Sequence, residues 1–334
     1  MTKISCVITL LLLLNRVSAQ DPHFSQFFAS PLTLNPAFTG KFSGTFRVAG
    51  NYRNQWPGIY NAYTTTTASM DFHILQNRIS PNDTWGVGFM GYSDQSSAGA
   101  VKFNYASVST AYHKGLDEDG FHQLGAGFQM TYANMLINTA NLKFEDQLTG
   151  SGFTGVTTEV FNNSVLKTNY LDINAGVLYN GSTNERNNFY LGLSMYHINR
   201  PKQQFTGADF LLQPRVTIHG GAYFPIGTNS TLHLNAIQML QGSAAETVVG
   251  GAIQLMSNPD DPKAASLYVG TWMRLKDAFI PYLGIEFDSF RIGASYDYNT
   301  SKLKTASQKQ GGIEISLIYI RRPDSDKIIN CPKF

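Results

Sequence analysis

The stretch that decides the fold is Thr45–Gln55, which reads TFRVAGNYRNQ and alternates between apolar and polar residues. Successive side chains of a β-strand point to opposite faces, so a period of two predicts a strand with two unlike faces. One face is apolar or small and consists of Phe46, Val48, Gly50 and Tyr52. The other face is mostly polar and consists of Arg47, Ala49, Asn51, Arg53 and Gln55. Such a strand separates an apolar environment from a polar one.

The same alternation returns along the rest of the chain. Near its end, for example, Ile313 and Ile315 alternate with Glu314. About fourteen strands are predicted in this way, at 45–55, 62–74, 84–95, 100–114, 122–136, 169–180, 188–198, 214–224, 230–240, 246–256, 265–274, 279–287, 290–298 and 310–320. Most are close to the roughly 9–11 residues that a tilted membrane-spanning strand needs.

The composition separates a membrane barrel from a soluble sandwich. Charged residues make up 14% of the chain, whereas an average soluble domain contains about 25%. Aromatic residues reach 13%, and there are 30 glycines. A soluble sandwich hides its apolar faces in a core, but a membrane barrel turns them to lipid and its polar faces to the lumen. We therefore predict an all-β, transmembrane antiparallel β-barrel of the outer membrane, and neither a cytosolic enzyme nor an electrostatic nucleic-acid binder.

The connections between the predicted strands support this fold, because compact ones alternate with longer ones. The compact connections are rich in turn residues and lie at 76–83, 115–121, 181–187, 225–229, 257–264 and 288–289. The longest are 137–168, 199–213 and 299–309. Outer-membrane barrels have short periplasmic turns and longer extracellular loops. This parity predicts one barrel domain at 45–320 and a periplasmic C-terminal tail at 321–334.

The first residues are typical of a cleaved signal peptide at 1–19. Lys3 supplies the positive charge, Val7–Leu14 the apolar core and Val17–Ala19 the small residues before the cleavage point. The following segment at 20–44 is predicted to be irregular, and either periplasmic or packed in the lumen. Exposing one of its large apolar side chains would cost roughly 1.5–3 kcal/mol. We expect it to pack against the periplasmic mouth or lower lumen or to hold a secretion component, with Phe24, Phe27, Phe28 and Phe38 as plug or partner-binding candidates.

Three further sets of residues are candidates for a role in the barrel. The loop Ile137–Thr168 is long enough to dock a protein partner or to fold over the pore as a lid. Its aromatic candidates are Phe144, Phe153 and Phe161. Lumen-facing charges are predicted at Arg47, Arg53, Asp71, Arg291 and Asp297. The pair Arg47 and Asp71 is interpreted as charge neutralisation in a wet lumen rather than as a gating or partner contact. A girdle at the membrane interfaces is predicted from Trp56, Tyr60, Trp85, Tyr112, Trp272 and Tyr319.

Motifs for chemistry are weak in this chain. Gly86–Gly91 matches G-x-G-x-x-G, but it lies inside a predicted strand and no helix follows to receive a pyrophosphate. Small residues facing the lumen are the simpler interpretation. The seven histidines lack metal-ligand spacing, and there is no G-x-S-x-G elbow. We predict no catalytic residue, no metal, no cofactor and no enzyme.

The segment Gln20–Gly40, QDPHFSQFFASPLTLNPAFTG, resembles the mature N-terminus of the PorP/SprF family. Further matches to that family are Tyr52–Pro57 (YRNQWP), Ser69–Asp71 and the terminal Asn330–Phe334 (NCPKF). The resemblance implies an outer-membrane protein of Bacteroidota that is linked to the type IX secretion system. Such a barrel would assist the export, anchoring or surface display of a large secreted protein or adhesin that carries a C-terminal sorting domain, including adhesins of gliding motility.

The resemblance implies periplasmic or outer-membrane secretion components as further partners, together with outer-membrane lipid and no nucleic acid. It does not decide between a core secretion component and the dedicated partner of one adhesin. Two functions of other classes remain open: a passive diffusion channel for small solutes, and an outer-membrane hydrolase with a reactive serine.

Overall fold

The computed structural model describes residues 20–59, 63–161, 163–184, 187–205, 208–259, 261, 263–305 and 307–322. The predicted signal peptide, the predicted girdle residue Tyr60 and the tail from Pro323 onward, with Cys331 and the NCPKF signature, lie outside these residues. Among the described residues, no helix has the length and apolar character needed to cross a membrane.

Fourteen antiparallel strands form a closed barrel in which each strand pairs with its neighbours in the chain order. They are β1 Phe46–Gln55, β2 Tyr63–Ile74, β3 Thr84–Ser96, β4 Val101–Gly115, β5 His122–Asn138, β6 Val165–Asn184, β7 Asn187–Tyr196, β8 Arg215–Gly227, β9 Ser230–Gln241, β10 Ala244–Met256, β11 Ser266–Arg274, β12 Ala278–Phe287, β13 Phe290–Asn299 and β14 Gln310–Arg321. The ladder from Phe46↔Arg321 to Gln55↔Gly312 joins β1 to β14 and closes the barrel. The predicted barrel of about fourteen strands is therefore confirmed, and β6 is much longer than expected, at 20 residues.

The two faces of each strand meet different surroundings, as the alternation predicts. In β1 the outward side chains of Val48 and Tyr52 are 38% and 41% exposed, whereas the inward side chains of Arg47 and Arg53 are 3% and 2% exposed. The outer surface carries apolar side chains around the barrel, and the lumen carries polar ones. This is the distribution that lipid outside and a polar interior require.

The two ends of the barrel differ in their connections. At the end where β1 begins, which we call the turn end, the six connections between strands are short and include 116–121, 228–229 and 288–289. At the opposite end, the loop end, the connections 139–164 and 197–214 are the longest. Each of these two loops contains a small hairpin, Leu148–Thr149 with Gly152–Phe153, and Lys202–Phe205 with Ala208–Leu211.

Residues 20–44, which we call the lumen segment, enter the barrel at the loop end and leave it at the turn end. The segment was expected to be irregular, but it contains three short helical turns, Phe27–Ala29, Pro31–Leu34 and Pro36–Phe38. Proline begins the second and third turns, where its fixed φ suits a first helical position. The Asn35 side chain caps the third turn by accepting a hydrogen bond from the Ala37 N–H. Turns this short leave no helical period in a sequence.

Candidate functional site

The lumen segment and the barrel wall around it form the candidate site, and its first anchor lies at the loop end. The Asp21 N–H donates to the side-chain carbonyl of Gln241 at 2.8 Å. The Asp21 carboxylate lies 2.6 Å from Nε2 of His197 and 3.3 Å from Nη1 of Arg215. His197 also contacts Asp172 at 3.0 Å. The segment was expected at the periplasmic mouth or lower lumen, but its anchors extend to the opposite end of the barrel.

Charge holds this first anchor together. Burial alone would raise the pKa of Asp21, but the charges of His197 and Arg215 outweigh burial and hold that pKa well below its usual range. Burial alone would lower the pKa of His197, yet the carboxylates of Asp21 and Asp172 raise it to about 9. The anchor therefore contains a charged histidine at neutral pH.

A second anchor is a cluster of buried charges below the first. Arg53 lies 3.1 Å from Asp297 and 3.0 Å from Glu314, and it donates to the backbone carbonyl of His23 at 2.7 Å. The N–H groups of Ser25 and Gln26 donate to Glu314 at 2.6 and 2.8 Å. The lumen segment thus supplies donors to a carboxylate that the wall buries.

This cluster continues into neighbouring strands. Arg274 on β11 lies 3.0 Å from Asp297 and 3.4 Å from Glu246, and Glu246 is 2.8 Å from Nε2 of His23. A buried charge is tolerated only when opposite charges and hydrogen bonds surround it. The segment therefore completes a charge network that spans β1, β10, β11, β13 and β14.

The aromatic candidates of the segment pack into the wall. Phe28 stacks on Trp272 with ring centroids 4.6 Å apart and meets Tyr282 edge-on at 5.3 Å. Phe38 packs edge-on against Tyr190 at 5.9 Å. Phe24, Phe27 and Phe38 are buried and Phe28 is half-buried. The prediction of Trp272 as a girdle residue was wrong, because its side chain faces the lumen and is only 3% exposed.

Side chains of the wall hold the backbone at the centre of the segment. Tyr196 donates to the carbonyl of Leu32 at 3.0 Å, and Ser194 donates to the carbonyl of Leu34 at 2.8 Å. In the opposite direction, the Asn35 amide donates to the carbonyl of Val177 at 3.1 Å. Because carbonyls in these short turns have few partners within the segment, the wall satisfies them.

Glycines of the wall lie where the segment comes closest. A Cβ on Gly127 would lie 2.4 Å from the backbone nitrogen of Ala37, and one on Gly86 would lie 2.6 Å from Cα of Gly40. Gly86 belongs to the G-x-G-x-x-G match, so part of that motif serves close packing against the segment. Gly91, the last glycine of the match, faces outward with no such contact.

The third anchor lies at the turn end and contains Arg47 and Asp71. Arg47 contacts the Asp71 carboxylate through Nε at 3.0 Å and Nη2 at 2.8 Å, and it donates to the carbonyl of Phe38 at 3.0 Å. The Gly40 N–H donates to Asp71 at 2.8 Å, and Lys41 contacts Gln123. The pair neutralises charge in the lumen and also fixes the end of the segment.

The remaining predicted candidates lie apart from these anchors. Arg291 forms an ion pair with Glu286 at 2.6 Å near the turn end, in a group that does not include Asp297. In the loop 139–164, Phe144 and Phe161 stack at 5.7 Å, whereas Phe153 is 47% exposed beneath the ammonium group of Lys143. The structure thus gathers Arg47, Arg53, Asp71 and Asp297 around the segment and leaves the loop aromatics on their own.

Sequence reasoning missed the polar contacts of the segment, including those of Asp21, Ser25, Gln26, Asn35 and His197. Asn35-Pro36 was an available signal, since asparagine before proline is typical of a capped turn.

Three cavities beside the segment have volumes of about 50, 20 and 30 Å³. Each has room for a few water molecules at most. The described residues contain no group of three His, Cys, Asp or Glu side chains that could hold a metal ion.

An antiparallel barrel with an apolar outer face and a polar lumen that its own N-terminal segment fills defines a β-barrel protein of the outer membrane. More particularly, the chain belongs to the PorP/SprF family of type IX secretion system membrane proteins, which it matches over residues 16–319. Membership implies interaction with secretion components and cargo. The family and outer-membrane location predicted from the sequence are confirmed.

Solved barrels are similar to this chain at low identity. The CymD monoaromatic hydrocarbon channel is 9% identical with a TM-score of 0.47, over 89% of this chain and 94% of that one. A Pseudomonas aeruginosa FadL homologue is 10% identical with a TM-score of 0.45, over 85% and 92%. BamA from Haemophilus ducreyi is 9% identical with a TM-score of 0.43, over 83% and 70%. The comparison with curated proteins gives no match.

Proposed function

We propose that this protein is a non-enzymatic barrel of the type IX secretion system that assists the export, anchoring or surface display of a large secreted protein or adhesin. The observation that carries this proposal is the filled lumen of a member of this family. The lumen segment has anchors at the loop end, at the centre and at the turn end. A passive channel needs a continuous aqueous path through the lumen. A segment that is anchored at three levels of the lumen obstructs such a path.

The two ends of the barrel offer different partners. If the short connections face the periplasm, as in other outer-membrane barrels, the loop end faces the outside. The exposed apolar side chains of the two long loops, Phe153, Val156, Phe210 and Leu211 among them, would then be available to a surface protein. The turn end would face periplasmic secretion components. Partner binding by Phe144, Phe153 and Phe161 belongs to this proposal.

The lumen segment gives the barrel a fixed shape rather than a pathway for cargo. The wall pairs with the Asp21 carboxylate, the Leu32 carbonyl and the Gly40 N–H, so the segment stabilises the barrel from inside at each level. A rigid barrel with elaborate loops at one end suits a docking or retaining role. The sorting domain of the cargo is then held at an end of the barrel and does not pass through the lumen.

The test is affinity purification of the tagged protein from detergent-solubilised outer membranes of its own cells. The proposal expects a large secreted protein with a C-terminal sorting domain, together with secretion components, at levels well above those found with another tagged outer-membrane barrel. A second preparation that carries F153A and F210A should lose the secreted protein and keep the barrel. Recovery of lipid and unrelated membrane proteins alone would contradict the proposal.

A passive diffusion channel remains the alternative. It has less support because the lumen segment is bound to the wall at three levels of the lumen. A hydrolase has less support, because the sequence contains no G-x-S-x-G nucleophile elbow. Labelling by a serine-directed probe would revive it.

A further inference from the structure

Four exposed lysines lie together on one arc of the loop end. The connection between β11 and β12, residues 275–277, contains Lys276, and the connection between β13 and β14, residues 300–309, contains Lys302, Lys304 and Lys309. All four side chains are exposed. The two connections are joined, because the N–H groups of Thr300 and Ser301 donate to the carbonyl of Asp277 at 2.7 and 3.1 Å. We call these four residues the lysine arc.

The lysine arc has no countercharge of its own. Residues 300–309 contain no Asp or Glu, and the single acid of residues 275–277 is Asp277. That carboxylate is already paired with the buried guanidinium of Arg274 at 3.1 Å. Among the described residues, none of the four lysines forms an ion pair. By contrast, loop 139–164 contains one lysine and three acidic residues, Glu145, Asp146 and Glu159.

The arc lies directly above the part of the barrel that faces lipid. The ammonium group of Lys309 lies 5.9 Å from the ring centroid of Tyr298, which is an exposed outward residue at the end of β13. Tyr298 is paired in register with Phe279, and Phe279 and Met273 also face outward. Aromatic residues of this kind mark the interface between hydrocarbon and headgroups. The lysines therefore lie at the level of the headgroups.

We propose that the lysine arc binds the phosphate groups of an anionic lipid in the leaflet that surrounds the loop end. Clustered lysines beside a membrane attract anionic headgroups, because each brings its charge within a Debye length of the surface. The inference rests on the proposed orientation, in which the loop end faces outward and this leaflet is the outer one. A phosphorylated glycolipid such as lipid A supplies the required charge there. The cation–π contact of Lys309 holds one ammonium group in place before a lipid arrives.

The test measures lipid binding by the purified full-length barrel in detergent, using native mass spectrometry. The probes are diphosphoryl lipid A and the same lipid with both phosphates removed. The wild type should bind the phosphorylated form preferentially. The variant K276S/K304S/K309S should lose about tenfold or more in apparent affinity, because each lysine contributes a substantial share of the attraction.

Two further variants keep the test decisive. The control K102S/K143S/K167S removes the same number of charges from the opposite side of the loop end and should change the affinity less than twofold. The variant K276R/K304R/K309R keeps the charge and should retain binding, which separates a lost site from a misfolded loop. Retained heat-modifiable migration in gels shows that each barrel is folded.

Three outcomes would overturn the inference. They are equal binding of the two lipid forms by the wild type, an equal loss in the control variant, and displacement of the lipid by millimolar inorganic phosphate. The last result would indicate a simple anion site. None of these readouts depends on cargo, so failure here leaves the proposed secretion function standing, and a missing cargo partner leaves the lipid site standing.

Discussion

Arg53 shows how single residues hold the lumen segment in the barrel. It is the cation between Asp297 and Glu314, and it also holds the carbonyl of His23. Removing Arg53 leaves Glu314 without its cation, whereas Asp297 keeps Arg274 at 3.0 Å. Loss of one member of a buried ion pair is far more costly than the loss of an exposed pair. The same reasoning does not apply to exposed basic residues such as Arg200.

We therefore expect Arg53→Met to lower the free energy of unfolding by about 3–5 kcal/mol and to increase proteolysis within the lumen segment. Urea unfolding in detergent and mass spectrometry of the cleavage products measure the two effects. Arg200→Met, a change of the same kind at an exposed site, should alter the free energy of unfolding by less than about 0.5 kcal/mol. Equal effects of the two substitutions would contradict this account of the second anchor.

The first anchor predicts a dependence on pH. The pKa of His197 is raised from 6.5 to about 9 by Asp21 and Asp172. The histidine therefore contributes stability fully below pH 6.5, and this contribution is lost as the pH rises through about 9. The pKa of Asp21 is lowered from 3.8, so its contribution is present above pH 3.8 and lost as the pH falls below it.

We expect the wild type to exceed His197→Gln in stability by on the order of 2–3 kcal/mol near pH 6. The difference should shrink as the pH rises from 6.5 to 10. Thermal unfolding of both proteins across this range measures the difference and cancels the titration of all other groups. A difference that stays constant between pH 6 and 10 would show that His197 is not charged in the folded protein.

At the scale of elements, the wall and the lumen segment fit each other closely. The wall places glycine where the segment's backbone approaches, as at Gly127 beside Ala37 and Gly86 beside Gly40. The segment in turn contains prolines that bend it into short turns. Because interiors are packed densely, one added carbon at such a contact forces the backbone to move.

Gly127→Ala should accordingly destabilise the protein by about 1–3 kcal/mol and speed hydrogen exchange in residues 35–40. Gly91→Ala is the matched control on a neighbouring region of the wall, since the nearest atom to its Cβ would lie 4.0 Å away on the outer face. Exchange mass spectrometry of the two variants makes the comparison. Faster exchange in both, or in neither, would argue against close packing of the segment at Gly127.

The strands could be predicted from the sequence, because a wall between lipid and a polar lumen imposes a period of two on every strand. The inward face of Trp272 also follows from this period, because Trp272 shares its parity in β11 with Arg274. Its contact with Phe28 could not be predicted, since the two residues are distant in sequence. The course of the lumen segment was equally hidden. Its partners, such as Gln241 for Asp21 and Asp71 for Gly40, are distant in sequence and become neighbours only after the barrel closes.

At the scale of the whole molecule, the anchors predict a barrel whose lumen does not conduct ions. Planar bilayers that contain the wild-type protein should show no stable conductance, because the lumen segment occupies the lumen. A chain that lacks residues 20–44 should produce steady channels. Heat-modifiable migration in gels confirms that the shortened chain still forms a barrel. Gly127→Ala should give a smaller conductance than the shortened chain does. Stable conductance of the wild-type protein would favour the diffusion channel.

The most direct test of the secretion function is the surface proteome of cells that lack this protein. We expect a large secreted protein with a C-terminal sorting domain to disappear from the cell surface or to be released into the medium. Complementation with the wild type should restore it, and complementation with F153A/F210A should not. An unchanged set of surface and secreted proteins in the deletion strain would contradict the central claim.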